Sequence, residues 1–330
     1  MFDFAAAFAR IQQALFEGVV QPLAFALGAG NVLEDAFAGT AWFLAGVLQI
    51  TVMLLLFRAL ERARPVEAIT DRAAVRVDVL YTLLHRLGLF RLLMFFSIDP
   101  LWDLLFGELR LAGVATWQLD ASIAPWWPGV TDTAWLAFIA YLVVFDALDY
   151  WIHRGQHAWR WWWSLHALHH SQRQLTVWSD NRNHLLDDML RDGIMVLAAR
   201  AIGIAPDQFV AVVACTQLLE SLSHANVRLW FGPVFERVLV SPRYHRLHHS
   251  IGLGHESRGR GTLGGHNFAV LFPLWDILFG TANFERRFDA TGIRDQLPEE
   301  GGRDYGAGFW RQQWLGLRRL ADSARLSSRP

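Results

Sequence analysis

Apolar positions in this chain come in blocks of helical length, separated by short charged, glycine-bearing or proline-bearing stretches. Residues 4–30 are moderately apolar and break near Gly28-Ala29-Gly30, which suits a helix that lies on a membrane, or else one that enters it. The clearest block is Thr40 to Leu60, T-A-W-F-L-A-G-V-L-Q-I-T-V-M-L-L-L-F-R-A-L. Its length matches the roughly 20 residues that a helix needs to span a hydrocarbon core. Arg58, Arg62, Arg64, Arg72 and Arg76 follow, so the positive-inside rule puts that end in the cytoplasm. Val77 to Ser97 should return across the membrane, yet it holds His85, Arg86 and Arg91. Such charges cost about 2.5–3.5 kcal/mol each near a helix centre, so they must snorkel, pair or face other protein. Asp78 and Asp99 lie too near the ends of this block to be obvious partners. Residues 98–131, with Trp102, Trp117, Trp126 and Trp127, read as an interfacial loop on the far side.

Thr133 to Trp151 is the next spanning block and returns the chain to the cytoplasmic side. Gly193 to Leu222 contains two short apolar segments around Gly203-Ile204-Ala205-Pro206, suited to a hairpin that dips in and returns. Phe309 to Leu320 places Trp310, Trp314, Leu317 and Ala321 on one helical face, with Arg311, Arg318 and Arg319 elsewhere. Such a basic amphipathic helix should rest on the anionic cytoplasmic leaflet. The pattern predicts an all-α polytopic membrane protein, with roughly three or four transmembrane helices, a re-entrant or spanning hairpin and a cytoplasmic helical cap. We divide one integral-membrane domain, 1–330, into an N-terminal segment (1–38), transmembrane helices (39–151), a histidine-bearing region (152–281, hairpin 193–222 included) and a C-terminal tail (282–330).

Composition agrees: 53% of the residues are hydrophobic, sixteen are Trp, and mean hydropathy is +0.21. A net charge of −1 gives no sign of nucleic-acid binding. The single cysteine, Cys215, excludes an internal disulfide and a Cys-ligated Fe–S cluster, and reads as packing. Asp3 and Arg10 give Met1 to Phe16 the wrong polarity for a secretory signal.

The histidines change the picture from membrane protein to candidate enzyme. His153 and His157 are spaced i, i+4, and His166, His169 and His170 are spaced i, i+3, i+4, as are His245, His248 and His249. On helices each set projects from one face. A lone buried histidine is usually a hydrogen-bonded core residue, but eight at such spacings point to metal, and to more than one ion. Neither the H-E-x-x-H of zinc proteases nor the Glu-x-x-His of soluble di-iron bundles is present. Asp146 and Asp149 precede His153 on the same helical stripe, which marks them as candidate acceptors for imidazole N–H groups. Asn267 is a further candidate of that kind. Trp159 and Trp161 to Trp163 lie between two histidine sets and read as an interfacial anchor and wall.

H-x-x-x-H, two H-x-x-H-H boxes and the later N-F-A-V-L-F-P-L-W-D-I-L-F-G-T (Asn267 to Thr281) resemble the fatty acid hydroxylase and sterol desaturase superfamily. The resemblance covers about Asp146 to Thr281. It implies an integral-membrane, non-haem di-iron oxygenase whose ligands include His153, His157, His166, His169, His170, His224, His245, His248 and His249. His224, in H-A-N-V-R, resembles an isolated histidine of the family. Some members carry a second histidine four residues later, where this chain has Arg228, so His184 or His266 becomes a candidate substitute. Leu185 follows His184 where many members have proline. His255, in the glycine-rich stretch 251–265, reads as solvated.

The resemblance further implies two Fe ions, with zinc an occupant in overexpressed protein, and O₂ attack on an unactivated C–H bond of a lipid. Electrons would come from a separate carrier and reductase, such as cytochrome b5 or a ferredoxin. The setting would be a bacterial inner membrane, with the metal site facing the cytoplasm. Desaturation and ether-lipid monooxygenation share these motifs. Spacing alone equally allows two zincs, so a zinc-dependent membrane hydrolase and a non-catalytic metal-binding membrane protein remain open.

Overall fold

The computed structural model describes residues 3–129, 132–251 and 265–327. Among them the chain is helical, and the only strand-like pairing is one antiparallel bridge, Ser250 with Thr291. Helix α1 (Phe4–Leu15) starts where the Asp3 carboxylate accepts from the Ala6 N–H, and runs on through a π turn to Ala26. Helix α2 (Gly30–Ala63) is longer than its apolar block and, among the described residues, is one of two helices long and apolar enough to cross a membrane. Leu54, Leu55 and Leu56 on it are all exposed, as suits a helix surrounded by lipid tails rather than water. The second is α7 (Ala134–Ala158), which extends beyond Trp151 to carry His153 and His157 in the same rod.

Between them, α3 (Arg72–Arg86) and α4 (Leu89–Ser97) bend by 54°. Gly88, at φ 86°, supplies the left-handed residue at the break. Counting this pair as one crossing gives three spans, at the low end of the expected three or four. The expected loop after it is largely helix: α5 (Asp99–Leu111), with Pro100 in its first turn, and α6 (Leu119–Ile123). The charges in the bent pair face protein. Arg86 donates to Asp180 at 2.7 Å, and the two nitrogens of His85 face the Tyr81 carbonyl and Asp188 at 2.9 Å each. Asp99 does pair with Arg91, at 3.2 Å, because the chain turns back there into α5. Asp78 also has a partner, Arg182.

The rest of the chain is built on these spans. Helix α8 (Arg160–His170) follows α7 after one residue, and α9 (Leu185–Ile202) and α10 (Pro206–Ser223) form the hairpin. Gly203 ends α9 at φ 72°, and Pro206 opens α10 where its missing N–H costs nothing. Then come α11 (Gly232–Phe235), α12 (Pro242–His248), α13 (Leu274–Leu278) and α14 (Phe309–Ser327). Tyr141, Phe145, Ile152, Trp162, Met195 and Val212 share one core across α7, α8, α9 and α10. Helix α14 packs on α8 and leaves Trp310, Trp314 and Leu317 exposed together.

One backbone crossing fixes the membrane helices relative to one another. A Cβ on Gly46 would lie 1.7 Å from the Arg86 carbonyl oxygen, so α2 and α3 approach closely only because residue 46 has none. Gly46→Ala is expected to lower stability by at least the ~1–3 kcal/mol typical of overpacking. Thermal unfolding in detergent checks this, and an unchanged midpoint would refute it.

Candidate metal centre

Four elements bring nine histidines to one buried place. Helix α7 supplies His153 and His157, α8 supplies His166, His169 and His170, the end of α10 supplies His224, and α12 with its cap supplies His245, His248 and His249. All nine are buried. His153, His157, His166 and His170 hold ligand nitrogens within 4.8 Å of one another, and so do His169, His224, His245 and His249. A third grouping, His170, His248 and His249, links the two.

The surroundings decide which nitrogen of each ring points inward. A carbonyl or carboxylate oxygen only accepts, so a ring nitrogen facing one must carry the proton. His153 Nδ1 donates to the Phe268 carbonyl at 2.8 Å, His224 Nδ1 to the Glu220 carbonyl at 2.7 Å and His248 Nδ1 to the His266 carbonyl at 2.7 Å. His166 Nδ1 donates to Asp187 at 3.0 Å. In each neutral ring the lone pair is then on Nε2, directed into the cluster. Fixing the tautomer in this way also raises the basicity of the ligand.

Protons alone do not satisfy the second group. The His224 Nε2 lone pair faces His169 Nε2 at 3.1 Å and His245 Nε2 at 2.9 Å, and His245 Nε2 also faces His249 Nε2 at 3.2 Å. If His245 donates to His224, it cannot accept from His249. Burial, followed by the charge each neighbouring ring would carry, holds His169, His245 and His249 well below the ordinary imidazole range, so extra protons are not the remedy. A cation shared by the four lone pairs removes the conflict. Neutral imidazole is the donor that Fe, Zn and Cu take readily, so these residues fit metal.

The stretch after the last box acts as a clamp. Asn267, at φ 58°, donates from its amide to the carbonyls of Tyr244 and Asn283, and its side-chain oxygen accepts from the Asn283 N–H. Asp276 accepts from the Phe268 and Ala269 N–H groups, both at 2.9 Å. Asp146 accepts from the Leu271 and Phe272 N–H groups and from the Trp275 indole. The bonds of Asn267 and Asp276, at Phe268 and on either side of it, hold its carbonyl against His153.

Three candidate imidazole acceptors therefore do other work. Asp146 and Asn267 bind backbone, and Asp149 holds Arg191 through both oxygens at 2.8 and 2.9 Å. Each faces backbone or guanidinium donors that outcompete a ring for its oxygens. Among the described residues, the acceptors seen are Asp187 and the carbonyls of Phe268, Glu220 and His266. Asp187 stands three residues after His184, but carbonyl acceptors leave no mark on side-chain identity.

His184 does not join either group. Its Nδ1 accepts from the Leu186 N–H at 3.1 Å, capping α9, and its Nε2 faces the Gln313 carbonyl at 2.9 Å. Both nitrogens are committed. His266 contributes its carbonyl to His248, while its ring stays outside the groups. His255 lies outside the described residues. Trp163 packs on His157 and His170, and Trp162 donates to Asp187 at 2.6 Å, whereas Trp159 and Trp161 are exposed.

Residues 138–281, which contain all nine histidines, match the fatty acid hydroxylase family. The ornithine lipid hydroxylase OlsE of Rhizobium tropici is 29% identical over 167 residues, covering 51% of this chain and 47% of the relative. Alkylglycerol monooxygenases of Danio rerio and Caenorhabditis elegans are 28% and 26% identical, covering 48% and 50% of this chain. Those matches cover 31% and 29% of the relatives. The chain thus spans about half, or less, of the length of each of these relatives. No solved structure matches it.

Proposed function

We propose that this protein is a membrane-bound non-haem di-iron oxygenase that hydroxylates a C–H bond of a lipid. The observation that carries the reading is the pair of four-histidine groups within the region matching the fatty acid hydroxylase family. His153, His157, His166 and His170 would hold one ion and His169, His224, His245 and His249 the other, with His248 where the groups meet. When bound, the irons supply the oxidising power that an unactivated C–H bond requires. The reaction balances as R–H + O₂ + 2 e⁻ + 2 H⁺ giving R–OH + H₂O, so a separate reductase and electron carrier are partners.

The protein's own contribution is position and dryness. Phe268, Glu220, His266 and Asp187 hold the rings in one tautomer, and Trp163 and Phe268 wall off water at His157. The exposed apolar face of α14 favours a cap resting on the cytoplasmic leaflet of a bacterial inner membrane. Ether-lipid monooxygenation is the second reading, favoured by the two alkylglycerol monooxygenases among the relatives.

Turnover under ¹⁸O₂ tests the proposal. A hydroxylase puts label in the lipid, a desaturase puts it only in water, and a hydrolase takes its oxygen from solvent. We expect one labelled oxygen per product, and anaerobic turnover to an unlabelled product would overturn the oxygenase reading.

A further inference from the structure

Two cavities adjoin beside the histidines. The inner one is walled on one side by His153, His166, His169, His224 and His245, and elsewhere by polar groups such as Asn181, Asn183 and Ser223. The outer one is mixed: Trp42 from α2, Phe90 from α4, Phe145 from α7, Met195 from α9, and Phe209 from α10 give it an apolar side, beside Gln49, Arg86, Arg91 and Thr216. His85, Asp149, Arg191, Asp192 and Gln217 line both, so they form a neck between the spans and the candidate metal centre. Every one of these five side chains is polar or charged.

That neck discriminates between parts of a lipid. An alkyl chain lying there would strip water from charged groups and offer nothing in return, at a cost of several kcal/mol per ion. A polar headgroup replaces the lost water bond for bond. Arg191 is held by Asp149 through Nε and Nη2, with Glu220 3.4 Å from Nη2. Its Nη1 makes no hydrogen bond among the described residues, and neither do the Asp192 carboxylate oxygens, which feel the charges of Arg191, Arg91 and His85 without bonding to them. The neck therefore presents a guanidinium edge to an anionic or carbonyl oxygen, and a carboxylate to an ammonium or N–H group. The tail of the same lipid matches the apolar side of the outer cavity, formed by Trp42, Phe90, Phe145, Met195 and Phe209.

We infer that Arg191 and Asp192 are positioning residues that hold the zwitterionic, amino-acid-like headgroup of a substrate lipid in the neck. Oxidation then falls on the headgroup or the first carbons joined to it, not on remote chain carbons. The site of oxidation rests on the oxygenase reading above; the binding of the headgroup does not.

The test separates the two. The purified, metal-loaded protein, kept anaerobic in detergent, is titrated with Nα-palmitoyl-lysine, which carries a free carboxylate and ammonium, and with hexadecane. Arg191→Lys and Asp192→Asn are each expected to weaken palmitoyl-lysine binding about tenfold, the scale of one charge-assisted contact. Hexadecane binding should not change. Asp192→Asn removes no hydrogen bond among the described residues, so it keeps the test meaningful if Arg191→Lys misfolds. Equal losses for both probes would mark a purely structural role, and no loss for either would refute the anchor. In the iron-loaded enzyme, tandem mass spectrometry should place the new hydroxyl on the headgroup or the carbons next to it. A mid-chain hydroxyl would overturn the inference. If no oxygen from O₂ is incorporated but binding still depends on Arg191 and Asp192, the oxygenase reading fails and the anchor stands.

Discussion

Two metal ions per chain are expected in the purified protein, and one in a His169→Ala/His245→Ala variant. The second group is His169, His224, His245 and His249, and the double substitution leaves it two donors. Metal sites of this kind use at least three protein ligands, so the ion of that group should be lost. The other ion should stay, because the rings of its group are held by separate partners, Phe268 for His153 and Asp187 for His166. His153→Ala/His157→Ala should remove that ion instead. Elemental analysis by mass spectrometry reads both outcomes. His184→Gln and His266→Gln should each keep two ions, since neither ring joins a group. Overexpressed protein is expected to carry some zinc, because imidazole sites bind Zn²⁺ more tightly than Fe²⁺. Metal content that stays the same in either double variant would refute the two-ion arrangement.

How far the sequence predicts this centre depends on which atoms do the work. The nine histidines stand out because helical spacing places i, i+3 and i+4 side chains on one face, and the structure brings all nine together. The long apolar blocks around Thr40 and Thr133 are visible for a similar reason: a 20-residue run has few other uses in a folded chain. Partner choice is a different matter. Asp146 and Asp149 share a stripe with His153, yet Asp146 turns to the Leu271–Phe272 backbone and Asp149 to Arg191. Those partners lie far along the chain, and no local period encodes them. His184 shows the same limit, since a cap on α9 and a contact with Gln313 consume its nitrogens. Gly316 makes that contact possible, because a Cβ there would come within 2.2 Å of the His184 ring.

Asp187 should prove the most sensitive residue that binds no metal. One of its oxygens accepts from Gln156 at 2.8 Å and from the Trp162 indole at 2.6 Å, and the other accepts from His166 Nδ1 at 3.0 Å. An amide in its place has one acceptor and one donor. If the amide oxygen keeps Gln156 and Trp162, the amide NH₂ faces His166 Nδ1. The ring must then carry its proton on Nε2, where the lone pair is needed. Asp187→Asn is therefore expected to weaken binding of the His153–His157–His166–His170 ion by about 10- to 100-fold, the usual scale for a partner that orients a ligand. Asp187→Ala leaves three buried donors unmet and should also lower stability, by roughly 1–3 kcal/mol for each. Asp146→Asn is the comparison, since it likewise faces three donors but no imidazole. It should lower the unfolding midpoint while the two ions stay in equal amounts. Chelator competition followed by elemental analysis separates these outcomes. Equal loss of both ions in Asp187→Asn would show that Asp187 supports the fold and does not set the tautomer of His166.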